Sequence, residues 1–200
     1  MRRIRYILIT CLAVSCTFAH KQRRPVVSKA DVQILKNIFA EWQKNEIKKK
    51  LFWANDSCNP DWIILHPTDT SGIVWSFPDN TSFKFSYADI NNDGKIDQLV
   101  TFTPEQCDGG NGSMWTQIEV LTISNHNQYT TTSTLSDGNF SYLGKDTSGF
   151  YWFDSIGVNK IYGRYLKFKN TDGHCCPSII KPEILDYDTN KVLYLGKYYL

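Results

Sequence analysis

The chain changes its hydrophobic rhythm once. Between Ser28 and Lys48 the apolar residues Ile34, Leu35, Ile38, Phe39 and Trp42 recur three and four apart, with Lys29, Lys36, Asn37, Gln43 and Lys44 in the other directions. That spacing lines one side of an α-helix. Ser28 stands where an N-cap is wanted, and Asp31, three residues on, completes a capping-box pattern. The run Lys48-Lys49-Lys50 suits the negative end of the helix dipole and reads as a solvated helix end.

After Trp53 the rhythm becomes two. It is clearest from Thr81 to Ala88, where Phe83, Phe85 and Tyr87 alternate with Ser82, Lys84 and Ser86. Further strands are predicted over 62–66, 72–77, 98–103, 114–124, 129–135, 141–143, 150–156 and 161–169. A last hairpin is predicted over 180–187 and 191–195, turning at Asp188-Thr189-Asn190. No fixed-period repeat runs through these segments, which argues against a propeller or a solenoid. The expected fold is α+β: one N-terminal amphipathic helix packed on a mainly antiparallel β-sheet or open barrel, with residues 28–200 as a single globular domain.

One connection in this strand-rich region carries chemistry. Asp89-Ile90-Asn91-Asn92-Asp93-Gly94-Lys95-Ile96-Asp97 has oxygen-bearing side chains at its positions 1, 3, 5 and 9 and a glycine at position 6. That is the ligand spacing of a calcium loop. Asp89, Asn91, Asp93 and Asp97 offer side-chain oxygens, and Lys95 offers its backbone carbonyl at position 7. Gly94 permits the sharp turn, and Ile96 pins the loop to the core. A helix–loop–helix EF-hand would place a bidentate glutamate at position 12. Here position 12 is Val100, and the loop joins two predicted strands rather than two helices. The expected cofactor is therefore a structural Ca2+ clamping a β-hairpin, rather than a switch that opens helices. A metal-free polar turn is the plainer alternative, since Asp, Asn and Gly are ordinary turn residues.

Composition changes the picture in two respects. The formal charge of +2 is carried by the N-terminus: residues 1–19 hold Arg2, Arg3 and Arg5 and no acid, which leaves −1 on the remainder. A nearly neutral chain gives no electrostatic case for nucleic acid. Residues 1–19 themselves read as a secretory signal peptide. The arginines precede an apolar run from Tyr6 to Ser15, too short for a bilayer, which needs about 20 apolar residues. Thr17-Phe18-Ala19 fits cleavage before His20. Leu12-Ala13-Val14-Ser15-Cys16 resembles a lipobox with Cys16 as the lipidated residue, although Ala13 departs from the usual larger aliphatic. Residues 20–27 form a basic tether. Both routes place the protein in a secreted, periplasmic or envelope location, and membrane attachment is expected only through a lipid on Cys16.

Outside the cytoplasm disulfides persist. Past Ala19 the cysteines are Cys58, Cys107, Cys175 and Cys176. A bridge between the neighbours Cys175 and Cys176 would be strained. The expectation is two disulfides that tie this pair to Cys58 and Cys107, in either order. The same cysteines with His174 could be viewed as a zinc set, but no Cys-x-x-Cys knuckle supports it.

The segment Ala88-Asp89 to Val100, followed by the glycine-rich run Cys107 to Gly112, by Trp115 and by the late His174-Cys175-Cys176-Pro177-Ser178, resembles FG-GAP and integrin-type calcium loops. In its single copy it is most similar to the loop of small secreted or lipid-anchored bacterial proteins of uncharacterised function. The resemblance covers roughly 83–178 and implies calcium binding without an activity.

Catalytic signals are weak. There is no Gly-x-Ser-x-Gly elbow; His66, His126 and His174 are scattered, and Glu105 with Asp108 is the only carboxylate pair worth naming. The glycine-rich run Asp108 to Gly112 lacks a phosphate-loop pattern. Aromatics make up 14% of the chain with six tryptophans; Trp75, Trp115 and Trp152 could form a glycan or peptide platform, though aromatics also fill β cores. The expected function is a non-enzymatic calcium-binding protein that engages a protein or glycan ligand. A calcium-dependent extracellular hydrolase and an inhibitor or immunity-type protein are the alternatives.

Overall fold

The computed structural model describes residues 26–49, 51–54, 75–106, 117–125, 128–136, 150–172 and 177–187. The predicted signal segment with Cys16, most of the predicted tether, and Cys58, Cys107, Cys175 and Cys176 lie outside the described residues. So do the strands predicted over 62–66, 141–143 and 191–195.

Helix α1 spans Lys29–Lys48 and opens on the expected capping box. The Asp31 amide donates to Ser28 Oγ at 3.1 Å, and the Ser28 amide donates to Asp31 Oδ2 at 3.3 Å. Strands follow at β1 (Trp75–Ser76), β2 (Lys84–Ala88), β3 (Asp97–Phe102), β4 (Glu105–Gln106) and β5 (Gln117–Asn125). Then come β6 (Gln128–Ser136), β7 (Phe150–Gly157), β8 (Lys160–Lys167) and β9 (Ile179–Asp186). All strand pairings are antiparallel. Among the described residues the strands form three sheets, where one sheet or open barrel is expected from the sequence: β1-β4, β2-β3-β5-β6 and β7-β8-β9. Thr81 and Ser82, expected in the strand before the 89–97 loop, sit in a short 3-10 turn instead.

The four-stranded sheet is the middle layer. Its register puts Phe85, Val100 and Val120 side by side on one face and Ser86, Leu99 and Leu121 on the other. The first face packs with Phe39, Phe52, Phe77, Phe83, Phe102 and Ile118 into an aromatic core under α1. The Phe39 ring meets Phe83 edge-on at 5.3 Å between centroids. The second face packs with Tyr151, Phe153, Ile156, Ile161, Tyr165 and Leu185 of the three-stranded sheet. Because both faces are covered, every residue of β3 is buried, and simple inside–outside alternation is lost there. Truncating Phe39 to alanine would cost about 3–5 kcal/mol by the usual cavity penalty. The helical stripe is narrower than its sequence pattern: Leu35 and Phe39 are buried, whereas Ile34 is 48% exposed.

Sheet packing also explains two polar residues. The edge strand β7 bulges between Phe153 and Ser155. Gln117 replaces a missing ladder partner there: its Oε1 accepts the Phe153 amide at 2.7 Å, and its Nε2 donates to the Phe153 carbonyl at 3.1 Å. Ser86 Oγ accepts the Ile156 amide at 3.0 Å. Gly163 is demanded by the same close approach, since a Cβ there would lie 2.2 Å from the Trp152 carbonyl oxygen.

Candidate metal centre

The loop 89–97 connects β2 to β3, as the sequence predicts, and turns twice on left-handed backbone. Asn92 has φ 58°, a conformation that asparagine tolerates, and Gly94 has φ 91°. A side chain at Gly94 would meet no neighbour, so its requirement is backbone strain and not space.

The three carboxylates organise the turn. Asp89 Oδ1 accepts the Asp93 amide and its Oδ2 accepts the Gly94 amide, both at 2.9 Å. Asp93 Oδ1 accepts the Lys95 amide at 2.9 Å. Asp97 Oδ2 reaches back across the loop to the Ile90 amide at 2.8 Å. Asn91 Oδ1 accepts the Asp93 amide at 3.3 Å. Asp89 and Asp97 are buried, while Asp93 at the tip is exposed. Ile90 is fully buried and Ile96 nearly so; Ile90 belongs to the core between the sheets.

Two residues that the loop motif does not contain complete the site. Ser124, at the end of β5, donates its amide to Asp97 Oδ1 at 2.7 Å and its hydroxyl to Asp93 Oδ2 at 2.7 Å. Its carbonyl accepts Asn91 Nδ2 at 2.7 Å. Asn159, with φ 54° in the β7–β8 turn, donates its amide to the Ile90 carbonyl at 3.0 Å. The loop is thus tied to both large sheets. Neither residue is marked by local spacing. A serine or asparagine far along the chain becomes a partner only once strand register is set.

The electrostatics of the site are set first by burial. Burial, opposed by hydrogen bonds from Ser124 and Ile90 and reinforced by the like charge of Asp93, pushes the Asp97 carboxyl up to about 6. The Tyr129 phenol, at the start of β6, is also raised, first by burial and then by the charges of Asp31, Asp97 and Asp93.

Lys95 sits at the motif's position 7, where the backbone carbonyl would be the donor, and Val100 is fully buried in the aromatic core and serves as no ligand. Among the described residues, no group of three or more His, Cys, Asp or Glu side chains is gathered closely enough to hold a metal ion. Each of the three carboxylates is engaged by backbone amides. Their chemistry nonetheless fits calcium. All the donors are hard oxygens, and each Asp89 oxygen accepts a single amide, leaving a second lone-pair direction open.

Of the other residues singled out in the sequence, Trp75 packs against the aromatic core under α1, while Trp152 lies beneath the Arg164 guanidinium at 5.3 Å. Glu105 is in β4 and exposed; Asp108, Trp115, His66, His126 and His174 lie outside the described residues. No helix among the described residues is long and apolar enough to cross a membrane. No family model matches the chain, and neither a curated protein nor a solved structure does.

Proposed function

We propose that this is a secreted or envelope-anchored, non-enzymatic binding protein whose 89–97 loop is a structural calcium clamp. The observation that carries the reading is the position of the loop. Two buried carboxylates, Asp89 and Asp97, close its ends, with Asp93 at the tip and both sheets bonded to it. Calcium would be held by Asp89, Asn91, Asp93, Asp97 and the Lys95 carbonyl, and would supply neutralisation of the crowded charge. The chain's own residues do the rest: Ser124 holds Asp93 and Asp97 against β5, and Asn159 holds Ile90 against the second sheet. A rigid junction of this kind presents the surrounding sheets and loops to a protein or glycan ligand, and it asks for no reacting group.

A second reading is a metal-free latch, favoured by the amides that already satisfy the carboxylates. Thermal melts with calcium and with chelator separate the two. Calcium at 100 times its Kd should stabilise the wild type by about 2.7 kcal/mol, and Asp93→Ala, at an exposed position, should fold and lose that response. A wild-type melt indifferent to saturating calcium would leave the latch.

A further inference from the structure

The outer side of β6 differs from the other long strand edges among the described residues. The free side of β7 is engaged by Gln117 and Ser86. β2 carries Lys84, and β9 carries Lys181, Pro182, Glu183 and Asp186. Such charges, prolines and side-chain caps keep strand edges from pairing with other chains. β6 runs for nine residues, Gln-Tyr-Thr-Thr-Thr-Ser-Thr-Leu-Ser, with no charge and no proline. Among the described residues no strand pairs with its outer side.

The hairpin register fixes which backbone groups face out. Asn125 pairs with Gln128 across a two-residue connection, and the pair closing such a hairpin is hydrogen-bonded. Alternation then turns the amides and carbonyls of Gln128, Thr130, Thr132, Thr134 and Ser136 toward β5, and those of Tyr129, Thr131, Ser133 and Leu135 outward.

We propose that β6 pairs antiparallel with β6 of a second copy of this chain about a two-fold axis at Thr132, joining two four-stranded sheets into one of eight. In that register Thr131 opposes Ser133 and Tyr129 opposes Leu135, and these are the residues with outward-facing backbone groups. Thr132 opposes itself, Thr130 opposes Thr134 and Gln128 opposes Ser136, in the intervening non-hydrogen-bonded pairs. An axis at Thr132 is therefore consistent with the alternation of the ladder. The strand is close to a palindrome in residue type: hydroxyl residues are set against hydroxyl residues at 130–134 and tyrosine against leucine at 129 and 135, and only Gln128 against Ser136 departs. An isologous contact requires this self-complementarity, because every residue meets the mirror of its own strand. The absence of charge suits the same contact, since Thr132 on the axis meets its own copy and a charge there would face its like. A strand of another protein would impose neither condition.

The test is a charge swap at the axis, read by analytical ultracentrifugation of the purified protein. Wild type should sediment at twice the monomer mass. Thr132→Lys and Thr132→Glu should each be monomeric, since like charges directly opposite destabilise a strand pair, and an equimolar mixture of the two should recover the doubled mass. Thr131→Pro gives an independent reading: it removes an outward amide and leaves the backbone bonds to β5 in place, giving up only the Thr131–Thr122 hydroxyl contact, so it should also be monomeric while still melting cooperatively. A wild type that stays monomeric at its highest soluble concentration overturns the proposal, as it would if β6 serves a foreign strand. A dimer that survives both charged variants, or a mixture that stays monomeric, overturns it equally.

Discussion

Two aspartates in this protein do the same local job and end with opposite acidities. Asp97 accepts the amides of Ile90 and Ser124 at 2.8 and 2.7 Å. Asp172, in the turn between β8 and β9, accepts the amides of Lys169 and Ser178 at 2.7 and 2.9 Å. The bonds are equal in number and nearly equal in length. Yet the Asp97 carboxyl is pushed up to about 6, whereas the amide bonds hold Asp172 below its ordinary value. Position in the fold makes the difference. Asp97 is shut between a sheet and its own loop with Asp93 nearby, so desolvation outweighs its two amides. Asp172 keeps its water and has Lys169 beside it, so hydrogen bonding decides. The same turn chemistry is a solvated cap at one end of the molecule and a charged, buried junction at the other.

The sharpest way to break this comparison is to delete both groups. Asp97→Ala orphans two buried amides and cuts the tie to β5, and should destabilise the calcium-free protein by about 3 kcal/mol in urea unfolding. Asp172→Ala should move the same midpoint far less, because water replaces its bonds. Equal losses would mean that burial is not what separates the two.

The next effect is the pH dependence, whose signs are opposite. Asp97 binds its proton more tightly folded than unfolded. Its contribution is fully present below pH 3.8 and is lost as pH rises toward about 6, at most about 3 kcal/mol. Calcium, by holding the group ionised, should flatten that slope, and Asp97→Asn should abolish it. Asp172 works the other way: its contribution is present above pH 3.8 and is lost as pH falls through its lowered folded value. Urea midpoints measured across this range with each variant would show the two slopes separately. The smallest expected effect is at Gly94, where alanine must adopt a left-handed backbone in open space. A loss of about 1 kcal/mol is expected there, and a larger loss would show that the loop geometry is held more tightly than its hydrogen bonds indicate.

Several features were legible in the residues alone because their causes are local. The Ser28–Asp31 capping box, the helix through Lys48 and the strand–loop–strand setting of Asp89 to Asp97 all depend on neighbours within a few residues. Gly94 is of the same kind, since its positive φ belongs to the turn. Ile34 shows where that reasoning ends. Its spacing puts it on the helical stripe, but Leu35 and Phe39 are buried while Ile34 is left exposed, and how much of a face is covered depends on what packs there. The acidic loop divides in the same way. Its ligand-type spacing could be read directly, whereas the amide-directed aim of its carboxylates and the weakened acidity of Asp97 could not.

What the sequence determined by itself was the identity and order of the oxygen donors, the period of each element and the α+β class. Only the tertiary structure decided that the four-stranded sheet would be a middle layer, with a phenylalanine-rich core on one face and a core richer in aliphatics and tyrosines on the other. It also brought Ser124 and Asn159 to the loop and, among the described residues, left no strand on the outer side of β6. The physical reason is that these depend on strand register and sheet stacking. Such contacts join residues tens of positions apart, and no short-range pattern along the chain encodes which of them will meet.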